Sequence, residues 1–175
     1  VIPINTDISV LYLLDIISYV FYICVPFAIA LLFFNLFSYE RYTFVKRASP
    51  KKPLLFVAGT LGCSYIVNLV AMFIFPSLAD FGETTSIIAK SPLEIALCFV
   101  LYAILPAILE EWAFRGILLK NLLPYGKWGA IIISSLLFGL GHIHPKSIIN
   151  ALTFGIILGI CYEYTGSLKL SMLIH

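Results

Sequence analysis

Glu110, Glu111, Arg115, His142 and His175 are the residues of this chain whose types and spacing point to chemistry. Each lies in or beside a long apolar run, where an ionisable group is costly unless it is paired or wet. Glu111 and Arg115 stand one helical turn apart, carboxylate before guanidinium, in a good order for a charged hydrogen bond. That pair reads either as a structural or supporting ion pair or as a direct part of the chemistry. Glu110 is rotated about 100° from Glu111 around a helix and meets Arg115 poorly at i,i+5, so it points elsewhere. A carboxylate in a partly dry cavity can act as a base toward water and then as an acid toward a leaving amine. His142 follows Phe138 by four residues, on the same helix face, and Gly139 and Gly141 thin the helix there. An imidazole so placed orients a water or shares its proton; the alternative is a helix-end histidine at the membrane interface. His175 lies deep enough in its apolar segment to reach inward, whereas His144, beside Pro145, reads as a loop residue.

Other chemistries have weaker support. Glutamate with two or three histidines is a zinc-ligand set in kind, but HExxH is absent, and the expectation is no metal and no cofactor. A G-x-S-G run for a serine nucleophile and a G-x-G-D pair for intramembrane aspartates are both missing. Cys24, Cys63, Cys98 and Cys161 are single, far apart and inside apolar runs, as spectator thiols are. No internal repeat supports a transporter.

The elements that must position these groups are membrane helices. The 175 residues are 61% hydrophobic and only 11% charged. Soluble domains average near 45–50% apolar and about 25% charged, so an ordinary cytosolic domain, disorder and a nucleic-acid module are excluded. The chain predicts a single all-α domain over 1–175, a polytopic transmembrane helix bundle enclosing a polar cavity. Ile16 to Tyr39 is free of charge, and its 24 residues would make a helix about 36 Å long, enough for a hydrocarbon core of about 30 Å. Leu54 to Ala79 is the second such window, ended by Pro76. Pro92 opens the third helix, which carries Glu110 and Glu111 and which Pro106 loosens near them. A Pro124-Tyr125-Gly126 turn follows. Trp128 to Leu140, Ile148 to Tyr162 and Leu168 to His175 complete six spans, with a close helix contact expected at Gly155 and Gly159. The basic 40–52 link belongs on the cytoplasmic side and the 80–90 loop on the opposite one. The chain starts at Val1 and stops within its last apolar segment, and so reads as part of a longer protein.

Placed in order, the motifs resemble a known family. Glu110-Glu111-Trp112-Ala113-Phe114-Arg115 matches the E-E-x-x-x-R motif of the CPBP intramembrane glutamic endopeptidases, the CAAX-protease and bacteriocin-processing or abortive-infection proteins. Phe138 to His142 matches the second motif, F-x-x-x-H, and His175 matches the opening of the third, H-x-x-x-N, whose Asn position is not part of the sequence. The similarity runs from Pro92 to His175. It implies a membrane-embedded endopeptidase in which Glu110 activates water, His142 partners it and His175 stabilises the oxyanion. Glu111, Arg115 and Phe138 are implied supports. The implied substrates are peptides or proteins entering from the membrane or the cytoplasmic side, CAAX-type or bacteriocin-related. The implied setting is a bacterial plasma membrane, with lipids and no nucleic acid as partners. A non-enzymatic immunity or scaffold protein that retains the pocket, and a zinc-dependent membrane protease, are the competing readings.

Overall fold

A computed structural model describes residues 8–37, 52–74, 91–142 and 145–175, and every element among them is a helix. In chain order they are α1 (Ile8–Phe37), α2 (Lys52–Ile74), α3 (Pro92–Tyr125), α4 (Lys127–Leu140), α5 (Pro145–Thr165) and α6 (Leu168–Ile174). Among the described residues, three stretches are long and apolar enough to cross a membrane: Val10–Leu32, Pro92–Tyr125 and Ser147–Thr165. The apolar stretches of α2 and α4, Leu55–Val67 and Lys127–Leu140, are shorter. Of the six expected spans, three are thus full-length among the described residues, α2 is a helix of 23 residues, and α4 and α6 are shorter. The 40–51 part of the basic link, the 80–90 loop and His144 lie outside the described residues.

Helix α1 starts earlier than its charge-free window and takes Asp15 into the helix. Ser91 caps α3 by accepting the Glu94 amide at 3.2 Å, and Pro92 takes the first helical position, where a missing N–H costs nothing. Pro106 then has no N–H to offer the carbonyl one turn back. The helix answers with wide turns over Val100–Ile104, where the Leu105 amide reaches five residues back to the Val100 carbonyl. Leu105–Glu111 returns to regular α geometry, and Trp112–Leu119 widens again. The loosening expected at Glu110 therefore falls on either side of the two glutamates, which themselves sit on a regular turn. Wide turns of this kind are frequent at functional sites because they re-aim side chains without breaking the helix.

Gly126, at φ 139°, makes the turn into α4, a backbone conformation that L side chains rarely adopt. Fourteen residues later α4 stops at Leu140. At about 21 Å it is too short to cross a bilayer core, so its end, Gly141 and His142, reaches the wall of an internal cavity. Helix α5 lies close along α4. A Cβ on Gly155 would stand 3.0 Å from the Ser135 Cβ and 3.1 Å from its Cα, and one on Gly159 would stand 3.2 Å from Ile131. Lys127 and Glu163 join the far ends of the two helices at 2.7 Å. The break before α6 is made by Gly166, at φ 64°, with Ser167 capping the Leu170 amide. This short helix brings His175 back into the bundle.

Two apolar clusters hold these elements. Ile23, Ala113, Phe114, Phe138 and Ala151 join α1, α3, α4 and α5. Leu119, Leu123, Ala130, Ile131 and Tyr162 close the other end. The Ser134 hydroxyl on α4 donates to the Phe114 carbonyl of α3 at 3.0 Å, so the widened part of α3 is also pinned by a polar contact. The close approach of α4 and α5 gives a direct expectation. Gly155→Val overpacks that contact and costs about 1–3 kcal/mol. Gly62→Ala, with nothing within 4 Å of the added carbon, stays within about 0.5 kcal/mol of the parent. Thermal unfolding of the purified protein in detergent measures both, and equal melting of the two variants would refute the tight contact.

Candidate active site

The deepest charges are Glu111 and Arg115, which are 0% and 1% exposed. Arg115 Nη1 donates to Glu111 Oε1 at 2.7 Å, the i,i+4 contact anticipated from their spacing. The same guanidinium is satisfied twice more. Its Nη2 donates to the Gly155 carbonyl of α5 at 3.3 Å, and its plane lies 4.6 Å from the centre of the Phe138 ring on α4. Cation and aromatic face attract through the ring quadrupole, most strongly where water is excluded. Phe138 also packs edge-on against Phe114, whose ring in turn meets Phe27 of α1.

His175 connects this pair to Glu110. Its Nδ1 lies 3.0 Å from Glu111 Oε1, which already accepts from Arg115, and its Nε2 lies 3.8 Å from Glu110 Oε2. A carboxylate paired with a guanidinium only accepts, so the His175 proton on that side sits on Nδ1. Phe138 and Phe154 flank the imidazole, with ring centres 6.2 and 5.1 Å away. Glu110 departs from Glu111 as the 100° rotation requires: it makes no bond to Arg115 and instead accepts from the Tyr19 hydroxyl of α1. Tyr19 stands in the first apolar span with no motif to single it out, so only the fold identifies it.

The His142 Nδ1 lies 3.0 Å from the Phe138 carbonyl. A carbonyl offers no proton, so Nδ1 carries one and Nε2 is the ring's acceptor in its neutral form. That bond fixes the tautomer, as second-sphere contacts to histidine commonly do.

Glu110, His142, His175 and Phe138 all line one cavity of about 1130 Å³. Its wall is otherwise largely apolar, with Ile23, Phe27, Leu101, Phe114, Leu118 and Leu137. The volume exceeds the roughly 300–1,000 Å³ of ordinary small-molecule pockets. A second space of about 280 Å³ lies on the other side of Phe138, His142 and His175, with Ser64, Ser147 and Asn150 in its wall. The two histidines thus stand between an apolar chamber and a small polar one. Among the described residues no group of three or more His, Cys, Asp or Glu side chains is arranged to hold a metal ion. The Glu110 carboxylate and both imidazoles thus face one cavity.

A family model described as "Type II CAAX prenyl endopeptidase Rce1-like" matches residues 92–175, the stretch over which the motifs run. No curated protein and no solved structure matches the chain. The buried ion pair carries the prediction from this geometry. Arg115→Ala leaves Glu111 buried without its cation and costs about 3–5 kcal/mol. It is expected to lower both folded yield and turnover, read by size-exclusion profile and thermal unfolding in detergent. A monodisperse variant with parental melting temperature would show the pair to be dispensable.

Proposed function

We propose, from the match of residues 92–175 to the Rce1-like model of type II CAAX prenyl endopeptidases, that the chain is a membrane endopeptidase in which Glu110 activates the water that cuts the peptide bond. The observation that carries this reading is the convergence on one cavity of Glu110 from α3, His142 from just past the end of α4 and His175 from just past the end of α6. In the proposed reaction Glu110 takes a proton from the water while the water oxygen bonds to the scissile carbonyl carbon. His142 Nε2 accepts the water's other hydrogen and aims its lone pair. The carbonyl oxygen becomes an oxyanion, to which His175 donates through Nε2; because Nδ1 donates to Glu111, this role requires His175 as the imidazolium, protonated on both nitrogens. Glu110, now protonated, gives its proton to the departing amine as the C–N bond breaks. The products are a carboxylic acid and an amine, and the side chains end as they began. General acid–base help of this kind supplies about 10²–10⁴-fold.

Glu111, Arg115 and Phe138 act in this reading as supports: the ion pair holds His175 and the ring covers the guanidinium. The reading needs no metal. The favoured substrate is a peptide or protein with an apolar or lipidated end, of CAAX type, entering from the membrane or the cytoplasmic side. The large apolar chamber beside Glu110 supports that choice. A multi-pass place in a bacterial plasma membrane is part of the same proposal.

The test is cleavage of a peptide ending in a lipidated cysteine motif by the purified protein, followed by mass spectrometry. Glu110→Gln keeps size and hydrogen bonding but removes the base, and is expected to bind substrate while losing about 100-fold or more in turnover. Exhaustive chelation is expected to leave the parent protein active. Unchanged turnover in Glu110→Gln would end the glutamate mechanism, and loss on chelation with full recovery on stoichiometric zinc would end its metal-free form.

A further inference from the structure

We infer that Tyr19 of α1 is a positioning residue for Glu110, so that a helix outside the family-matched stretch forms part of the working site. The inference rests on the proposed role of Glu110 as the base. Tyr19, Ile23 and Phe27 recur every four residues and share one face of α1. That face is the one turned to α3: Ile23 is 6% exposed within the cluster that holds Ala113 and Phe114, and Phe27 meets the Phe114 ring at 5.0 Å. Packing at two of the three positions therefore fixes the third, and Tyr19 delivers its hydroxyl hydrogen to Glu110 Oε1. Phe114 follows Glu110 by one turn of α3, so the aromatic contact and the hydrogen bond share one helix–helix seam.

The bond divides the work of the two carboxylate oxygens. Oε1 is held by Tyr19, and Oε2 faces His175 Nε2 at 3.8 Å. The final torsion of a glutamate side chain is broad and roughly two-fold. With the phenol in place the carboxylate plane is set before substrate arrives, and Oε2 is the oxygen turned toward the imidazole and available to a water. Without it the carboxylate rotates among orientations of which only some suit proton transfer. A misplaced catalytic group loses rate rather than affinity, because the contact matters only when the proton moves. The hydroxyl takes no proton in the reaction; it acts through Glu110.

The experiment is a double-variant cycle on the full chain in detergent or lipid nanodiscs, with the lipidated peptide as substrate. Tyr19→Phe keeps the ring that packs α1 on α3 and removes only the hydroxyl. It is expected to lower kcat by about 10- to 100-fold with KM changed less than about twofold, since KM follows only interactions common to ground and transition states. In the Glu110→Gln background the same substitution is expected to cost nothing further. Tyr19→His, which can still present an N–H, is expected to retain more turnover than Tyr19→Phe. An independent readout is the carboxylate stretching band of Glu110 in difference infrared spectra, identified by its loss in Glu110→Gln and expected to shift in Tyr19→Phe. Parental kcat and an unshifted band in Tyr19→Phe, with Glu110→Gln inactive, overturn the inference and leave the glutamate base standing. An equal fractional loss in both backgrounds overturns it too, since Tyr19 then acts as a packing residue. Full activity in Glu110→Gln itself removes the base, and the inference falls with it.

Discussion

A guanidinium and a carboxylate with almost no exposed surface set the terms for the rest of this molecule. Taking two charges out of water costs several kcal/mol each, and their mutual attraction offsets that only when the remaining donors and acceptors are also met. Arg115 meets this demand with three partners on three helices: Glu111 on its own, the Gly155 carbonyl on α5 and the Phe138 ring on α4. Glu111 meets it in part: its Oε1 takes a second contact, from His175 at the end of α6, while its Oε2 is buried without a hydrogen-bond partner. The helices must converge where these partners are, and small residues let them. Gly155 has no side chain to hold α5 off Ser135, so its carbonyl comes within reach of the guanidinium.

Adjacent glutamates meet opposite fates in this arrangement, and the helix between the two wide turns is the reason. Leu105–Glu111 is regular, so successive side chains fan out by about 100°. One carboxylate turns into the protein and is spent on structure. The other turns to the cavity, with a phenol on one oxygen and an imidazole facing the other. His175 touches both, and so couples the buried pair to the cavity wall. Loss of the ion pair would therefore reach the cavity wall through the His175 imidazole and the Phe138 ring, and on the proposed reading a substitution at Arg115 is expected to disturb the site as well as the fold.

Much of this was legible in the sequence, for identifiable reasons. The i,i+4 spacing of Glu111 and Arg115 dictates their contact on any helix, and Gly155 with Gly159 marks the close face of α5. The break that returns His175 to the bundle is made by Gly166 at positive φ and the Ser167 cap. Hydropathy located the long apolar stretches, but an apolar run does not say whether it crosses or stops. Helix α4 stops, at Gly141, and its end then supplies His142. Pro106 announced a disturbance but not its place, since the missing amide is answered by turns before the proline. Tyr19 was not legible at all. A tyrosine among apolar residues has no periodic or motif signal, and its partner lies 91 positions away.

In the proposed reaction a water, not the carboxylate itself, attacks the scissile carbonyl. A single turnover with enzyme in excess, in water labelled with heavy oxygen, tests this most directly. Direct attack predicts that the new carboxyl group of the product carries one labelled oxygen in the first turnover. Attack by Glu110 would form a mixed anhydride, and opening it at the glutamyl carbonyl leaves an unlabelled side-chain oxygen in the product. Fully labelled product is the result this account predicts; unlabelled product from the first turnover would contradict it.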